Sequence, residues 1–234
     1  MKRCLLCGQE QAALLNWRQF FLVQEAEELC GRCLSRFQPI EGERCQKCSR
    51  PLESLDAAHV EEGCCCDCLR WEQDPDYRGV LSGNLSLFTY NEAMQAWISR
   101  FKYRGDYVLA RCFSKEIKRT LQQLEYDVLT VIPLSEERLR ERGFNQAKAL
   151  AEEAGLGVTD ILQRMHAEKQ AKKSRAERMQ RKQVFSLIEK KEWSNQTIVI
   201  VDDIYTTGST VRQAAKLLKG AGAKDIYSFT LSRG

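Results

Sequence analysis

Two adjacent carboxylates, Asp202 and Asp203, stand just before a run of small and hydroxyl residues, Thr206-Thr207-Gly208-Ser209-Thr210. That combination suits a sugar phosphate. The backbone N–H groups of Thr206 to Thr210 can converge on a phosphate, their hydroxyls add donors, and Gly208 lets the backbone come close. The acids would repel the same phosphate. They are expected to face its neutral part and to accept hydrogen bonds from vicinal sugar hydroxyls. The plainer alternative is a strand–turn–helix crossover whose acids only cap the helix. A second group is rich in guanidinium: Arg138, Arg140 and Arg142, followed by Gly143-Phe144-Asn145-Gln146. Guanidinium forks match pyrophosphate oxygens bidentately, whereas an exposed charged turn is the plain reading.

The third group is sulfur. Ten of eleven cysteines lie before residue 70, and eight form Cys-x-x-Cys pairs: Cys4/Cys7, Cys30/Cys33, Cys45/Cys48 and Cys65/Cys68. A two-residue spacer lets both sulfurs reach one ion, and two such knuckles complete a tetrahedral site. The intervals between successive partners are 22 and 16 residues, so sequential pairing predicts two zinc sites, with a single zinc as the alternative. Cys64 and Cys66 crowd the last knuckle; Cys65 with Cys68 keeps the spacer. Four thiolates close each site and leave no position for a water, which makes the metal structural. Cysteines at this density in a chain that starts without a signal-peptide core argue for metal over disulfides and for a cytoplasmic protein.

The elements that must hold these groups alternate strand and helix, as in an α/β fold with a mostly parallel sheet. Ile198 to Val201 reads as a strand buried on both faces, and Val211 to Gly220 as an amphipathic helix. Asp127 to Ile132 is the strand before the arginines, with Gly143 opening the next helix. Leu85 to Tyr90, Val158 to Met165 and Asp225 to Leu231 are further strands. Asn91 caps a helix to about Arg104, in which Lys102 reads as an ordinary lysine at a helix end. A second helix spans Tyr107 to Leu124. Trp71 to Gly83, punctuated by Pro75 and Gly79, reads as a linker and divides the chain into residues 1–75 and 76–234. The first part carries 9 Lys/Arg against 13 Asp/Glu and the second 27 against 19, so a polyanionic partner belongs to the second. From Arg164 to Lys182, including Lys169, Lys172, Lys173, Arg175 and Arg178, the net charge is +6. Such a segment suits a mobile cationic lid or single-stranded nucleic acid. No apolar run approaches the ~20 residues of a membrane span.

The stretch Thr197 to Thr210 resembles the phosphoribosyl-pyrophosphate (PRPP) motif of type I phosphoribosyltransferases, with Tyr205 where that family usually has an aliphatic residue. The resemblance implies that Asp202 and Asp203 hold the ribose 2′ and 3′ hydroxyls, Thr206 to Thr210 the 5′-phosphate, and Arg138, Arg140 and Arg142 the pyrophosphate, with Mg²⁺ accompanying PRPP. The basic segment matches that family's closing loop, although the usual Arg-x-x-Asn pattern is absent after Arg178. With the cysteine pairs and the Arg-x-Arg-x-Arg-Gly-Phe-Asn-Gln block, nearly the whole chain resembles the ComF competence family. A double zinc ribbon on a type I phosphoribosyltransferase domain is thereby implied, with a role in single-stranded DNA uptake. Two functions follow: a transferase releasing pyrophosphate, or a non-catalytic adaptor that binds PRPP or DNA beside a helicase.

Overall fold

The computed structural model describes residues 2–11, 28–165, 184–189 and 192–234. In chain order the elements are β1 (Lys2–Arg3), β2 (Glu10–Gln11), α1 (Gly31–Leu34), β3 (Val60–Glu61), β4 (Cys64–Cys65), α2 (Cys66–Gln73), β5 (Gly83–Thr89), α3 (Glu92–Tyr103), a 3₁₀ segment (Tyr107–Phe113), and α4 (Ser114–Leu121). They continue with β6 (Val128–Val131), α5 (Glu136–Arg142), α6 (Gln146–Glu153), β7 (Leu162–Arg164), β8 (Phe185–Leu187), β9 (Thr197–Tyr205), α7 (Ser209–Gly220) and β10 (Asp225–Arg233).

Four strands form one sheet in the order β5-β10-β9-β6, every neighbour parallel. All four carboxyl ends therefore meet at one edge, where open parallel sheets bind ligands. Alternate residues of β9 point to opposite faces. Val199 and Val201 join Leu129, Val131, Phe229 and Leu231 in one core with α3, α4 and α6. Ile198 and Ile200 join Ile226 in a second core with Val211, Ala214, Ala215 and Leu218 of α7. Burial on both faces explains the unbroken β-branched run.

The cysteine-rich segment is built into both cores. Cys4, Cys33 and Phe37 belong to the first, and Cys45, Cys48, Cys65 and Cys68 to the second. Gln38 to Ile40 also runs along the free edge of β5: Ile40 N donates to Leu87 O and Thr89 N to Gln38 O, both at 2.9 Å. That covers an edge which would otherwise present unpaired backbone. The expected linker is structured as well. Its start is the end of α2, and Tyr77, Val80 and Leu81 are buried. Pro and Gly punctuate the stretch, but its apolar residues close over the second core.

Two helices depart from expectation. Tyr107 to Leu124 divides into the 3₁₀ segment and α4; a threefold repeat stacks Leu109 on Cys112 and Ala110 on Phe113, and all four are buried. Gly143 closes a helix and does not open one. It sits at φ 79° as the C-cap of α5, whose N-cap Ser135 accepts a hydrogen bond from Arg138 N. Asn145 then caps α6, accepting from Lys148 N.

Phe37 lies 4.9 Å from Phe113 and 6.0 Å from Phe88, ring centre to ring centre. It ties the first cysteine knuckles to the sheet. Phe37→Ala is expected to lower stability by about 3 kcal/mol, in one cooperative urea transition of the whole chain. A separate early transition, with the main one unmoved, would show a head that folds by itself.

Candidate functional site

Strand β9 runs further than its apolar half suggests and carries the acids within it, ending at Tyr205. Asp203 is buried and pairs with Lys102 from the end of α3; the two side chains are 12% and 14% exposed. The ammonium is thus a fixed part of the site, not a solvated helix end. No local signal marks it, because 100 residues separate the partners. Without a sugar, Asp203 therefore does not simply face solvent: it has a cation of its own. Asp202 accepts from the Asp203 backbone N–H at 2.9 Å. Burial pushes the Asp202 carboxyl well above the usual range, the Asp203 charge adds to this, and Lys102 opposes it.

The arginines divide by helical geometry. On α5, residues 138 and 142 are one turn apart and share a face, while 140 points roughly the other way. Arg140 is exposed and pairs with Glu136 at 3.4 Å. Arg142 donates to Gln146 Oε1 at 3.0 Å and sits 5.9 Å from the Tyr103 ring centre, next to Lys102. Arg164, at the end of β7, completes the group. Burial lowers it from its ordinary value, the charge of Arg138 adds to that, and Asp202 opposes it. Arg164 thus feels the charges of both Asp202 and Arg138, whereas Arg140 points to the other side of α5. β7 pairs antiparallel with β8, and the chain between them holds Lys169, Lys172, Lys173, Arg175 and Arg178, which lie outside the described residues.

Beyond Tyr205, Thr206 and Thr207 are exposed, Gly208 is buried and Thr210 is exposed. Gly208 adopts φ +78°, and a Cβ there would meet Tyr205 Oη at 2.2 Å. Only glycine fits over this phenol. Thr207 Oγ1 accepts from Ser209 N at 3.3 Å, and Arg212 N donates to Gly208 O at 2.9 Å. The first N–H groups of α7 have no carbonyl one turn back, so the loop presents donors at the positive end of a helix.

The sulfurs form two sets. Cys4, Cys7, Cys30 and Cys33 make one cluster and Cys45, Cys48, Cys65 and Cys68 the other, with all ligand atoms in each within 4.8 Å of one another. This is the expected register; Cys64 and Cys66 stand outside. Cys7 and Cys30 Sγ lie 3.8 Å apart and Cys48 and Cys65 Sγ 3.6 Å. A tetrahedron with metal–sulfur bonds of about 2.3 Å has edges of about 3.8 Å. Cys30 N points at Cys4 Sγ and Cys65 N at Cys45 Sγ, each at 3.3 Å. Both sets fit a closed tetrathiolate site for a metal ion. Cys112, buried and apart, has its thiol pushed up to about 12 by burial.

Residues 138–234 match the family described as the phosphoribosyl transferase domain. Over nearly its whole length the chain is also similar to two competence proteins ComFC. It is 35% identical over 232 residues to that of Streptococcus pneumoniae, covering 99% of this chain and 100% of the relative. It is 37% identical over 234 residues to that of Bacillus subtilis, covering 98% and 94%. The chain belongs to the ComFC family of competence proteins. Competence protein F of Haemophilus influenzae is 29% identical over 220 residues, covering 88% of this chain and 90% of its own. Among solved structures, a hypoxanthine phosphoribosyltransferase from Staphylococcus aureus aligns with 61% of this chain and 72% of its own at a TM-score of 0.35 and 14% identity. A purine phosphoribosyltransferase from Pyrococcus horikoshii aligns with 64% and 87% at 0.31 and 16%. Neither is close enough in shape to speak for this chain. The matched domain and the parallel sheet make the fold that of a type I phosphoribosyltransferase, joined to an N-terminal segment with two four-cysteine clusters.

Two stability effects of opposite sign follow from the acid pair. Lys102→Met leaves Asp203 charged, buried and unpaired, and should cost about 3 kcal/mol. Asp202→Asn keeps the acceptor for Asp203 N–H and removes a charge that folding disfavours. Because the folded-state pKa of Asp202 is raised, wild type loses stability as pH rises from the ordinary carboxylate range through that raised value. The ligand-free midpoint of Asp202→Asn should therefore exceed wild type at neutral pH, and the gap should close as pH falls toward about 4. Thermal unfolding across pH measures both; a gap that widens on acidification reverses the assignment.

Proposed function

We propose that the chain binds Mg²⁺-PRPP at the carboxyl edge of its sheet and serves DNA uptake in competence, with phosphoribosyl transfer as the reaction the site is built for. One observation carries this reading: a single strand–loop–helix unit, β9 to α7, carries an acid pair, a glycine-pinned hydroxyl loop and a helix N-terminus in succession. Asp202 and Asp203 would take the ribose hydroxyls and Thr206 to Thr210 the 5′-phosphate. Arg138, Arg142 and Arg164 would take the pyrophosphate, and Arg140, on the far side of α5, is left out of that role. The magnesium would travel on the pyrophosphate and neutralise its charge. In transfer, the bond from ribose C1 to the pyrophosphate oxygen would break as a nucleophilic atom of the acceptor bonds to C1, with the electron pair leaving on pyrophosphate, whose oxygens the guanidiniums would stabilise. Lys102 would share Asp203 with the incoming sugar. Zinc is the metal the two tetrathiolate sets favour, in a cytoplasmic protein divided into a metal-bearing segment, residues 1–75, and a transferase segment, residues 76–234. The net charge of +6 from Arg164 to Lys182 supports single-stranded DNA as the polyanionic partner. No helix among the described residues is long and apolar enough to cross a membrane.

Pyrophosphate release from Mg²⁺-PRPP, assayed with oligonucleotides and free bases as acceptors, separates the transferase from an adaptor. Asp202→Asn should weaken PRPP binding at least tenfold, read as loss of the ligand-induced thermal shift. An undiminished shift would sink the site.

Elemental analysis should find two zinc ions per chain, one for each four-cysteine cluster. Less than one, or stoichiometric iron, counts against the assignment. Chelation should lower the midpoint of the entire chain, since both clusters continue into the sheet's cores.

For DNA, Ala at Lys169, Lys172, Lys173 and Arg175 should flatten the slope of log K against log salt by about 0.7 for each phosphate that is no longer neutralised. An unchanged slope moves the DNA site elsewhere.

A further inference from the structure

The second cysteine cluster and the phosphate loop are physically joined at two points. Helix α2 begins within that cluster and carries its ligand Cys68. One turn on, Trp71 Nε1 donates to the backbone carbonyl of Thr207 at 2.8 Å. The indole also lies 5.3 Å from the guanidinium of Arg212, which is fully buried in the first turns of α7 and pairs with Glu72 at 3.4 Å. On the other side, Arg233 is 4% exposed. Its Nη2 donates to Cys48 Sγ at 3.5 Å and its Nη1 to Tyr205 O at 3.2 Å. Its guanidinium lies 5.1 Å from the centre of the Tyr205 ring, on which Gly208 rests. The loop from Tyr205 to Ser209 is therefore gripped from α2 at one carbonyl and from Cys48 at another.

The chemistry of these contacts differs from ordinary packing. A tetrathiolate cluster carries excess negative charge, and a guanidinium donating to one of its sulfurs is fixed in place by it. The same guanidinium holds the carbonyl that ends β9. Two side chains from outside the loop thus help fix two of its carbonyls, Thr207 O by Trp71 and Tyr205 O by Arg233 beside Gly234 N at 3.0 Å, and with them the N–H groups that follow.

We infer that Trp71 and Arg233 are positioning residues for the Thr206–Thr210 loop, through which the second cysteine cluster sets the loop's affinity for the phosphate of a phosphorylated pentose. This rests on the PRPP reading above and adds the metal cluster as a determinant of the same site. Metal loading and sugar-phosphate binding then become reciprocal: each favours the other by the same factor.

The test uses the full-length, metal-replete chain with ribose 5-phosphate and Mg²⁺-PRPP as probes. Trp71→Phe deletes the indole N–H and keeps a ring over Arg212. Calorimetric titration should show affinity for ribose 5-phosphate reduced about fivefold, the effect of one lost hydrogen bond, with metal content and ligand-free midpoint unchanged. Arg233→Met should reduce it further, and Arg233→Lys should restore part of it. In cobalt(II)-substituted protein, saturating ribose 5-phosphate should shift the thiolate-to-cobalt charge-transfer bands in wild type. Those bands should stay still in Arg233→Met. Wild-type affinity in Trp71→Phe together with ligand-insensitive cobalt bands in wild type overturns the inference and leaves the PRPP site standing. Failure of wild type to bind either probe overturns the PRPP reading itself. Should Arg233→Met not fold, Trp71→Phe and the wild-type cobalt spectrum decide.

Discussion

Two carboxylates in consecutive positions on a buried strand repel one another, and the cost rises as water is withdrawn. Everything around the end of β9 answers that constraint. Lys102 arrives from α3 to neutralise Asp203, and Arg164 on β7 feels the charge of Asp202. Even so, burial and the Asp203 charge leave the Asp202 carboxyl raised. Evolution tolerates such strain where a ligand relieves it. Under the proposed reading, a sugar offering two hydroxyl donors would relieve this pair without adding charge, and its 5′-phosphate would meet loop N–H groups in place of acids. The same repulsion would let such a site tell a phosphosugar from a bare phosphate.

The cysteine clusters solve a second problem, that of closing both sides of a four-stranded sheet in a chain of modest size. The first cluster packs with Phe37, Phe88 and Phe113 over one face, and the second lies against the helix α7 face. Between the second cluster and β5, a buried polar ladder does the joining. Asn84 Nδ2 donates to Cys48 O and to Ser86 Oγ, Ser86 meets Thr230, and Ser228 and Ser49 bond to Asn84 oxygens. Satisfied polar networks of this kind fix register where an apolar contact would allow slippage. The cysteine-rich segment is thus part of the sheet's packing, and one side chain, Arg233, spans from Cys48 Sγ to the carbonyl that ends β9.

How much of this is legible in the sequence depends on sequence distance. The β-branched run of β9, the stripe of α7 and the Cys-x-x-Cys spacers are local patterns, and the structure places each as its spacing implies. The arginine block differs from expectation although its signals are present: Ser135 as N-cap, Glu136 and Glu137 in the first turn, and Gly143 as C-cap define a seven-residue helix. That helix separates Arg140 from Arg138 and Arg142 at once. Lys102 has no such signal, nor does the bond from Trp71 to Thr207, which spans 136 positions. The expected linker misleads for a related reason. Pro75 and Gly79 mark turns truthfully, but turns do not reveal whether Tyr77, Val80 and Leu81 face water or a core.

Tyr205 shows how one departure from a family pattern can be absorbed. An aliphatic side chain there would need only a dry pocket. A phenol brings a hydroxyl, and burial pushes its pKa up while Arg212 beside it pulls the other way. The ring fills the space beneath Gly208 so completely that no side chain fits above it, which fixes the loop's tightest turn at the one residue able to take a positive φ without cost. Its face is also the surface on which Arg233 lies between β9 and Cys48. Shortening Tyr205 to leucine would free that space, and Arg233 would lose its stacking surface while keeping its bonds to the Tyr205-position carbonyl and to sulfur. The loop would then be held by its backbone, by Trp71 and by an Arg233 without its stacking surface. The tyrosine is therefore better understood as part of the bracket that joins the second cysteine cluster to the Thr206–Thr210 loop than as a tolerated substitution.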